Sequence, residues 1–226
     1  MPPCSEFRAA IIDYGMGNLF SVEQACTAAG LPATITSSAE EVRQAAAVIL
    51  PGVGAFGDAM ATLRKLGLVE VIREVVAAGT PVVGICLGMQ LLMSESYEFG
   101  RHEGLGLIEG TVMPLESQQG AARFKVPHVG WNAITTSRNS WEKTPLQGLP
   151  DRTFMYFVHS FYVKPSDSQV VLSTTQYANT EFCSSLSVGN IFACQFHPER
   201  SGPYGLRLYQ NIARWVQRSS PEVSRV

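Results

Sequence analysis

The chain has 226 residues and a formal net charge of −2, with 17 lysines and arginines against 19 aspartates and glutamates. Charged residues make up 16% of the chain, below the roughly 25% of an average soluble protein, so we expect much of it to be buried and its body ordered. The charge balance argues against a nucleic-acid binder, which needs a basic face. No apolar run approaches the roughly 18 residues of a membrane span, and the first residues lack a signal-peptide pattern. We therefore expect a cytoplasmic protein.

The first hundred residues alternate between apolar strand patterns and helical patterns. Strands are predicted at residues 9–15, 33–36, 47–50 and 81–85. Helices are predicted at residues 18–28, 38–46, 56–78 with a break near Gly67, and 87–94. Continuous apolar strands are typical of strands buried on both faces. The alternation therefore predicts right-handed βαβ units and an open, mostly parallel sheet flanked by helices.

After about residue 100 the pattern changes to strands joined by turns. Strands are predicted at residues 104–112, 126–134, 154–163, 170–177 and 191–196, followed by one helix at 204–217. The predicted fold class is α/β, with additional antiparallel strands in the C-terminal half. We predict one domain over residues 1–217 and a frayed tail at 218–226, because no linker or repeat interrupts the pattern.

The five cysteines have irregular spacing, which indicates neither a disulfide framework nor a zinc site, and no metal or cofactor is expected. Four of them are interpreted as small buried residues: Cys4, Cys26, Cys183 and Cys194. Cys86 differs, because the segment Gly84-Ile85-Cys86-Leu87-Gly88 lies between a predicted strand and a predicted helix. This is the layout of a nucleophile elbow, with cysteine in the place of serine. Cys86 is therefore a candidate nucleophile.

A nucleophilic thiol needs a base, and the chain has four histidines. His197 follows an apolar strand in the segment Gln195-Phe196-His197-Pro198-Glu199. Strand ends are where open α/β sheets place their sites. Glu199 follows two residues later and could orient the imidazole, which would complete a Cys-His-Glu triad. The glycines of Pro51-Gly52-Val53-Gly54, at another strand end, could supply backbone N–H groups for an oxyanion hole together with that of Leu87.

Together, these three segments resemble the class I glutamine amidotransferases, whose signature is an oxyanion turn rich in proline and glycine, then GxCxG, then HPE. The resemblance covers about residues 9–216. Further segments are similar to the glutaminase subunits of imidazole glycerol phosphate synthases: residues 13–19, 51–56, 86–92, 104–108, 127–132 and 156–160. The most discriminating are DYGMGN at 13–18 and PHVGWN at 127–132.

The resemblance implies an enzyme that hydrolyses L-glutamine to glutamate and ammonia. It implies that Cys86 attacks the carboxamide, that His197 transfers the proton, and that Glu199 orients His197. The N–H groups of Gly52-Val53 and of Leu87 would hold the oxyanion. A (β/α)8 barrel cyclase, forming a heterodimer with this chain, would receive the ammonia for histidine biosynthesis.

For substrate and partner contacts, the resemblance implies that Gln90 and Glu98 contact the α-amino end of glutamine. The backbone around Ser160-Phe161 would contact its carboxylate. His128 and Trp131 would lie nearer the partner interface.

Two residues depart from the family pattern. Arg200 stands where lysine is common, and arginine differs from lysine in its planar, permanently charged head. Phe161 stands where tyrosine is common. These departures leave the triad unchanged and concern the interface, where Arg200 would lie, and the tunnel mouth.

Three other hypotheses stay open at this point. The chain could be a glutaminase of the same fold that feeds a different synthase, or a free-standing thiol hydrolase. A non-enzymatic interaction module would need to have lost the nucleophile or the base, and both Cys86 and His197 are present.

Overall fold

The computed structural model describes residues 7–116, 118–119, 122–137 and 140–219. The helices are α1 (Leu19–Ala28), α2 (Ala39–Gln44), α3 (Phe56–Lys65), α4 (Leu68–Ala77), α5 (Leu87–Leu91) and α6 (Gly202–Ser219). Short 3₁₀ turns occur at Ser168–Val170 and Pro198–Arg200. The strands of the first half are β1 (Ala9–Ile12), β2 (Ala33–Thr36), β3 (Ala47–Gly52), β4 (Val82–Cys86), β5 (Met93–Ser96), β6 (His102–Glu103) and β7 (Ile108–Pro114). Those of the second half are β8 (Gln118–Gln119), β9 (Ala122–Arg123), β10 (His128–Thr136), β11 (Thr153–His159), β12 (Phe161–Pro165), β13 (Val171–Tyr177), β14 (Thr180–Val188) and β15 (Ile191–Cys194).

A large mixed sheet forms the centre of the molecule, with the strand order β11-β10-β13-β14-β15-β4-β3-β1-β2. Strands β15, β4, β3, β1 and β2 pair in parallel. The pairs from β15 through β14, β13 and β10 to β11 are antiparallel. A second sheet has the order β12-β7-β5-β6, and β8 pairs with β9. The predicted α/β class, with a parallel N-terminal region and added antiparallel strands, is confirmed.

Two apolar layers cover the parallel strands. On one face, residues from α3 and α4, including Phe56 and Ile72, pack against alternate strand residues such as Leu50. On the other face, residues from α1 and α6 pack against the intervening residues, such as Ile49 and Phe192. Successive strand side chains point to opposite faces, so strands covered on both sides must be apolar throughout.

Local signals set several helix boundaries as predicted. Asn18 caps α1, because its side-chain oxygen accepts a hydrogen bond from the backbone N–H of Ser21 at 3.3 Å. Gly67 separates α3 from α4 and has a φ of 69°, a conformation that glycine adopts without strain. The predicted break in the helical region 56–78 is therefore confirmed.

Two predictions of secondary structure are wrong, and one strand was not predicted. The helix predicted at 87–94 ends at Leu91, and Met93–Ser96 is strand β5, which pairs in parallel with β7. The strand predicted at 154–163 is two strands, β11 and β12, which belong to different sheets and break at Ser160. Strand β14 was not predicted, because buried serines interrupt its apolar pattern. Ser184 is one of them, and its hydroxyl lies 2.9 Å from that of Ser173.

The last helix is longer than predicted, since α6 continues through Ser219. The remainder of the predicted tail, residues 220–226, lies outside the described residues, as does Cys4. None of the helices described is long and apolar enough to cross a membrane.

Candidate active site

Cys86 lies at the turn where strand β4 ends and α5 begins. Its backbone has a φ of 54° and a ψ of −108°, a conformation that a residue with a side chain adopts only under strain. A Cβ atom on Gly88 would lie 1.7 Å from the Leu50 carbonyl oxygen, and one on Gly84 would lie 2.9 Å from a Leu92 methyl carbon. Close packing therefore requires glycine at position 88, and a side chain at position 84 would require its neighbours to shift. The turn has the predicted nucleophile-elbow geometry.

The Cys86 sulfur is buried among polar groups. The side chain is 5% exposed, the Nε2 of Gln195 lies 3.6 Å from Sγ, and the Val158 carbonyl oxygen lies 3.9 Å away. Cys26, Cys183 and Cys194 are also buried free thiols, as predicted. Burial raises the pKa of each of these three, that of Cys26 to about 12, so they stay protonated at neutral pH.

His197 and Glu199 form a buried pair next to this turn. The Nδ1 of His197 lies 2.7 Å from Oε1 of Glu199, and the two side chains are 7% and 3% exposed. The His197 backbone N–H donates to the Tyr156 carbonyl at 2.8 Å, and its carbonyl accepts from the Ser201 hydroxyl at 2.7 Å. Pro198 then begins a 3₁₀ turn that directs Glu199 back towards the imidazole. The backbone therefore fixes the orientation of the pair.

The charge state of His197 depends on its neighbours. Burial by itself lowers the pKa of this imidazole, but its interactions with the Cys86 sulfur and the Glu199 carboxylate together raise that pKa to about 10. The Nε2 atom of His197 has no hydrogen-bond partner among the described residues. This nitrogen is therefore available to exchange a proton with a bound substrate. The arrangement can take up and return one proton beside a sulfur nucleophile.

The predicted oxyanion turn lies beside Cys86, since Gly52 on β3 is the register partner of Cys86 on β4. A Cβ atom on Gly52 would lie 1.9 Å from the Tyr14 hydroxyl, which donates to the Pro51 carbonyl at 2.7 Å. Tyr14 comes from the DYGMGN segment, and sequence analysis did not link it to the turn. Val53 is 45% exposed and lines the same cavity as Cys86.

A cavity of about 330 Å³ opens at the Cys86 sulfur. Its lining includes all the residues predicted to contact substrate and two predicted to hold the oxyanion: Gln90, Glu98, Ser160, Phe161, Val53 and Leu87. Gln90 donates from Nε2 to the Phe161 carbonyl at 3.0 Å, which leaves its Oε1 as an acceptor. A Glu98 carboxylate oxygen accepts from the Phe56 backbone N–H. The cavity lining thus includes the acceptor atoms of Gln90 and Glu98 together with the Ser160-Phe161 segment.

The residues predicted at a partner interface have different positions. Trp131 is 54% exposed and packs edge-on against Tyr156, with ring centroids 6.2 Å apart. The Arg200 guanidinium lies over the same Tyr156 ring at 4.4 Å. His128 is only 3% exposed, and its ring stacks between Phe157 and Tyr177. Trp131 and Arg200 therefore share an exposed cluster, whereas the His128 side chain lies inside the protein.

Sequence analysis did not single out Gln195 as a site residue. It is fully buried and contacts both Gln90 and the Cys86 sulfur. Its position two residues before His197, on the same emerging strand segment, was the available signal. In the part of the chain that the structure describes, no cluster of His, Cys, Asp and Glu side chains could hold a metal ion.

Comparison with known proteins agrees with this geometry. The family description "Glutamine amidotransferase class-I" matches residues 10–214. The imidazole glycerol phosphate synthase subunit HisH of Aquifex aeolicus is 46% identical over 212 residues, which are 93% of this chain and 98% of that protein. HisH of Moorella thermoacetica is 48% identical over 208 residues, 92% of this chain and 95% of that protein. PurLQS from Thermotoga maritima has the same fold, with a TM-score of 0.70 at 20% identity over 92% of this chain and 98% of that one. The chain is therefore a member of the class-I glutamine amidotransferase family.

Proposed function

We propose that this chain is the glutaminase subunit of an imidazole glycerol phosphate synthase and that it hydrolyses L-glutamine through a thioester on Cys86. The observation that carries the proposal is the buried His197–Glu199 pair, whose imidazole interacts with the Cys86 sulfur at the strained turn where a cavity opens. Relatives 46–48% identical over more than nine-tenths of the chain are subunits of that synthase, which supports the same assignment here.

In the first half of the reaction, the Cys86 thiolate attacks the carboxamide carbon of glutamine and a C–S bond forms. The proton held by His197 passes to the nitrogen, the C–N bond breaks, and ammonia leaves. In the second half, His197 removes a proton from water, which attacks the thioester carbon and releases glutamate and the Cys86 thiolate. Glu199 stabilises the imidazolium throughout and does not itself carry the transferred proton.

The tetrahedral intermediates place a negative charge on the former carboxamide oxygen. The N–H groups of Leu87, at the start of α5, and of the Gly52-Val53 turn are proposed to hold this oxygen. At the other end of the substrate, the acceptors of Gln90 and Glu98 suit the α-ammonium group. The backbone N–H groups at Ser160-Phe161 suit the α-carboxylate.

The ammonia product explains why such a subunit needs a partner. Free ammonia becomes ammonium at neutral pH and is then no longer a nucleophile. A partner that covers the site can lead ammonia away before it is protonated. We propose a (β/α)8 barrel cyclase as this partner, forming a heterodimer through the surface that carries Trp131 and Arg200.

The oxyanion turn suggests how the partner controls activity. Gly54 has a φ of 117°, so the peptides beside exposed Val53 can rotate with little steric hindrance. One orientation presents an N–H to the oxyanion and the other presents a carbonyl. Loss of one oxyanion donor costs about 10²- to 10³-fold in rate. Partner binding would shift the population towards the active orientation.

The test is a glutamate-release assay on the purified chain alone, with the cyclase subunit, and with the cyclase and its phosphorylated substrate. We expect the complete complex to be at least about 100-fold faster than the isolated chain, from the effect of one oxyanion donor. The control is Cys86→Ala, which should release no glutamate under any condition, while its complex still forms the cyclase product from ammonium salts. Equal turnover in all three conditions would favour a free-standing thiol hydrolase. Glutamate release by Cys86→Ala would exclude Cys86 as the nucleophile.

A further inference from the structure

A continuous series of hydrogen bonds joins the interior of strand β10 to the Cys86 sulfur. We call it the amide–imidazole chain, and it runs through Asn132, His128, His159, the Phe161 carbonyl, Gln90, Gln195 and Cys86. The proposed mechanism uses only its last member and one acceptor atom of Gln90. The donor and acceptor roles along this chain can be worked out from the Phe161 carbonyl within it and from the Gln176 carbonyl that accepts from Asn132, because a carbonyl only accepts.

The imidazole half of the chain has one consistent assignment. The Phe161 carbonyl lies 2.9 Å from Nδ1 of His159, so that nitrogen carries the proton. His159 Nε2 is then an acceptor, and Nδ1 of His128 donates to it at 3.1 Å. His128 Nε2 in turn accepts from Nδ2 of Asn132 at 3.4 Å, and that amide also donates to the Gln176 carbonyl at 3.0 Å. Both imidazoles are therefore neutral and protonated at Nδ1.

The amide half is equally determined. The same Phe161 carbonyl accepts from Nε2 of Gln90 at 3.0 Å. The second N–H of that amide donates to Oε1 of Gln195 at 3.1 Å. The Nε2 of Gln195 must then face the Cys86 sulfur, 3.6 Å away. Reversing the Gln195 amide would place two NH₂ groups against each other and would turn an oxygen towards the sulfur.

We propose that Gln195 is a catalytic residue whose amide donates a hydrogen bond to the Cys86 thiolate, and that His128 and His159 are positioning residues for it. The proposal rests on the proposed role of Cys86. A donor at the sulfur stabilises the thiolate before attack and again when the thioester breaks, which are the two points where sulfur carries negative charge. Gln195 is fully buried, so the hydrogen bond is shielded from solvent.

The histidine pair suits the positioning role. A neutral imidazole accepts at one ring nitrogen and donates at the other. Two such rings in series therefore keep the same donor-to-acceptor direction across the protein interior. Burial lowers the pKa of His128 to about 4 and that of His159 to about 3, which keeps both rings neutral at working pH. His159 donates a hydrogen bond to the Phe161 carbonyl. The same carbonyl accepts from the Gln90 amide and so keeps that amide beside Gln195.

The first test measures the rate at which iodoacetamide alkylates Cys86 in the full chain at pH 7.5, by mass spectrometry of the peptide that contains Cys86. Gln195→Met keeps the side-chain length and removes the donor. Because a hydrogen bond to a charged group is worth about tenfold or more, we expect at least a tenfold slower rate. The matched control is Gln44→Met on α2, whose exposed amide donates to the Glu40 carboxylate and which should leave the rate unchanged.

The outcomes separate this proposal from the one it rests on. Alkylation of Gln195→Met at the wild-type rate would overturn the role of Gln195 and leave Cys86 as the nucleophile. Absence of label on the Cys86 peptide of the wild type would instead remove the basis for a reactive Cys86.

A second measurement needs no substitution. In ¹⁵N-histidine-labelled wild-type protein between pH 6 and 8, we expect His128 and His159 to show a protonated Nδ1 and an unprotonated Nε2. This is the less common tautomer in free peptides, so the NMR signature is diagnostic. A proton on Nε2 of either ring would contradict the chain, whatever the variants do.

Discussion

Two buried histidine environments lie close together in this molecule and have opposite protonation states. His128 and His159, which face each other on β10 and β11, have pKa values lowered by burial to about 4 and about 3. His197, at the end of β15, is just as buried, yet its pKa is raised to about 10. The difference lies in the neighbours, because His197 interacts with the Cys86 sulfur and the Glu199 carboxylate. Burial therefore does not decide the charge of a histidine here; the nearest anions do.

The comparison also separates two kinds of hydrogen bonding. The ring nitrogens of His128 and His159 all have partners. The proposed catalytic group, in contrast, leaves Nε2 of His197 and Oε2 of Glu199 without partners among the described residues. A fully bonded pair is suited to holding a structure in place, whereas unpartnered buried atoms are suited to binding something that arrives later.

The largest effect that tests the comparison is loss of activity at the catalytic pair. His197→Ala removes the proton carrier and should lower the glutaminase kcat of the assembled complex by about 10⁶-fold. Glu199→Gln keeps the imidazole and removes only its charge partner, so the loss should be nearer 10⁴-fold. Equal losses, or a larger loss for Glu199→Gln, would mean that the carboxylate does more than orient and stabilise the imidazolium.

Stability against pH should show opposite slopes for the two environments. Below about pH 6.5 the histidines of the unfolded chain become protonated, whereas native His128 and His159 stay neutral. Their contribution to the free energy of unfolding is therefore lost as pH falls towards their native pKa values of about 4 and about 3. Native His197 holds a proton that the unfolded chain loses above about pH 6.5, so its contribution is lost as pH rises through about 10. Each slope is at most about 1.4 kcal/mol per pH unit per histidine.

The measurement is urea unfolding of the free chain between pH 4 and pH 10, with His197→Ala as the comparison. The variant should lose part of the alkaline decline in the free energy of unfolding and keep the acid decline. An unchanged slope between pH 7 and pH 10 would show that His197 is not held protonated in the native state.

Sequence reasoning worked best where the site is contiguous in the chain. The elbow around Cys86 and the His197-Pro198-Glu199 segment carry their geometry locally, because glycine spacing and one proline determine the two turns. The contacts that were missed depend on strand register. Gln195 meets Gln90 across 105 residues, and Tyr14 meets Pro51 across 37. No local pattern encodes such pairings.

The fold shows the same division. The parallel half was predictable because its central strands are apolar and its strands alternate with helices along the chain. The antiparallel half was not, because β14 carries buried serines and because β11 and β12 separate at Ser160 only through pairing with different sheets. The interface prediction for His128 likewise remains a prediction, since a buried ring can affect a partner surface only through its neighbours.

The smallest effect concerns an unpartnered atom beside Glu199. Gly205 brings α6 against the Pro198 carbonyl, because a Cβ on Gly205 would lie 1.9 Å from that oxygen, and Tyr209 follows one turn later on the same face. The Tyr209 hydroxyl is buried with no hydrogen-bond partner in the described part of the chain, and it lines a cavity with Glu199. An unpaired buried hydroxyl costs about 1–3 kcal/mol, so Tyr209→Phe should raise the free energy of unfolding by about 1 kcal/mol and Tm by about 2–4 °C.

The matched control is Tyr177→Phe, which removes a hydroxyl bonded to the Lys125 carbonyl at 2.6 Å and should lower Tm instead. A lower Tm for Tyr209→Phe, with slower glutamine hydrolysis, would show that the hydroxyl is bonded to Glu199 in solution, and the contrast with the fully bonded histidine pair would then disappear.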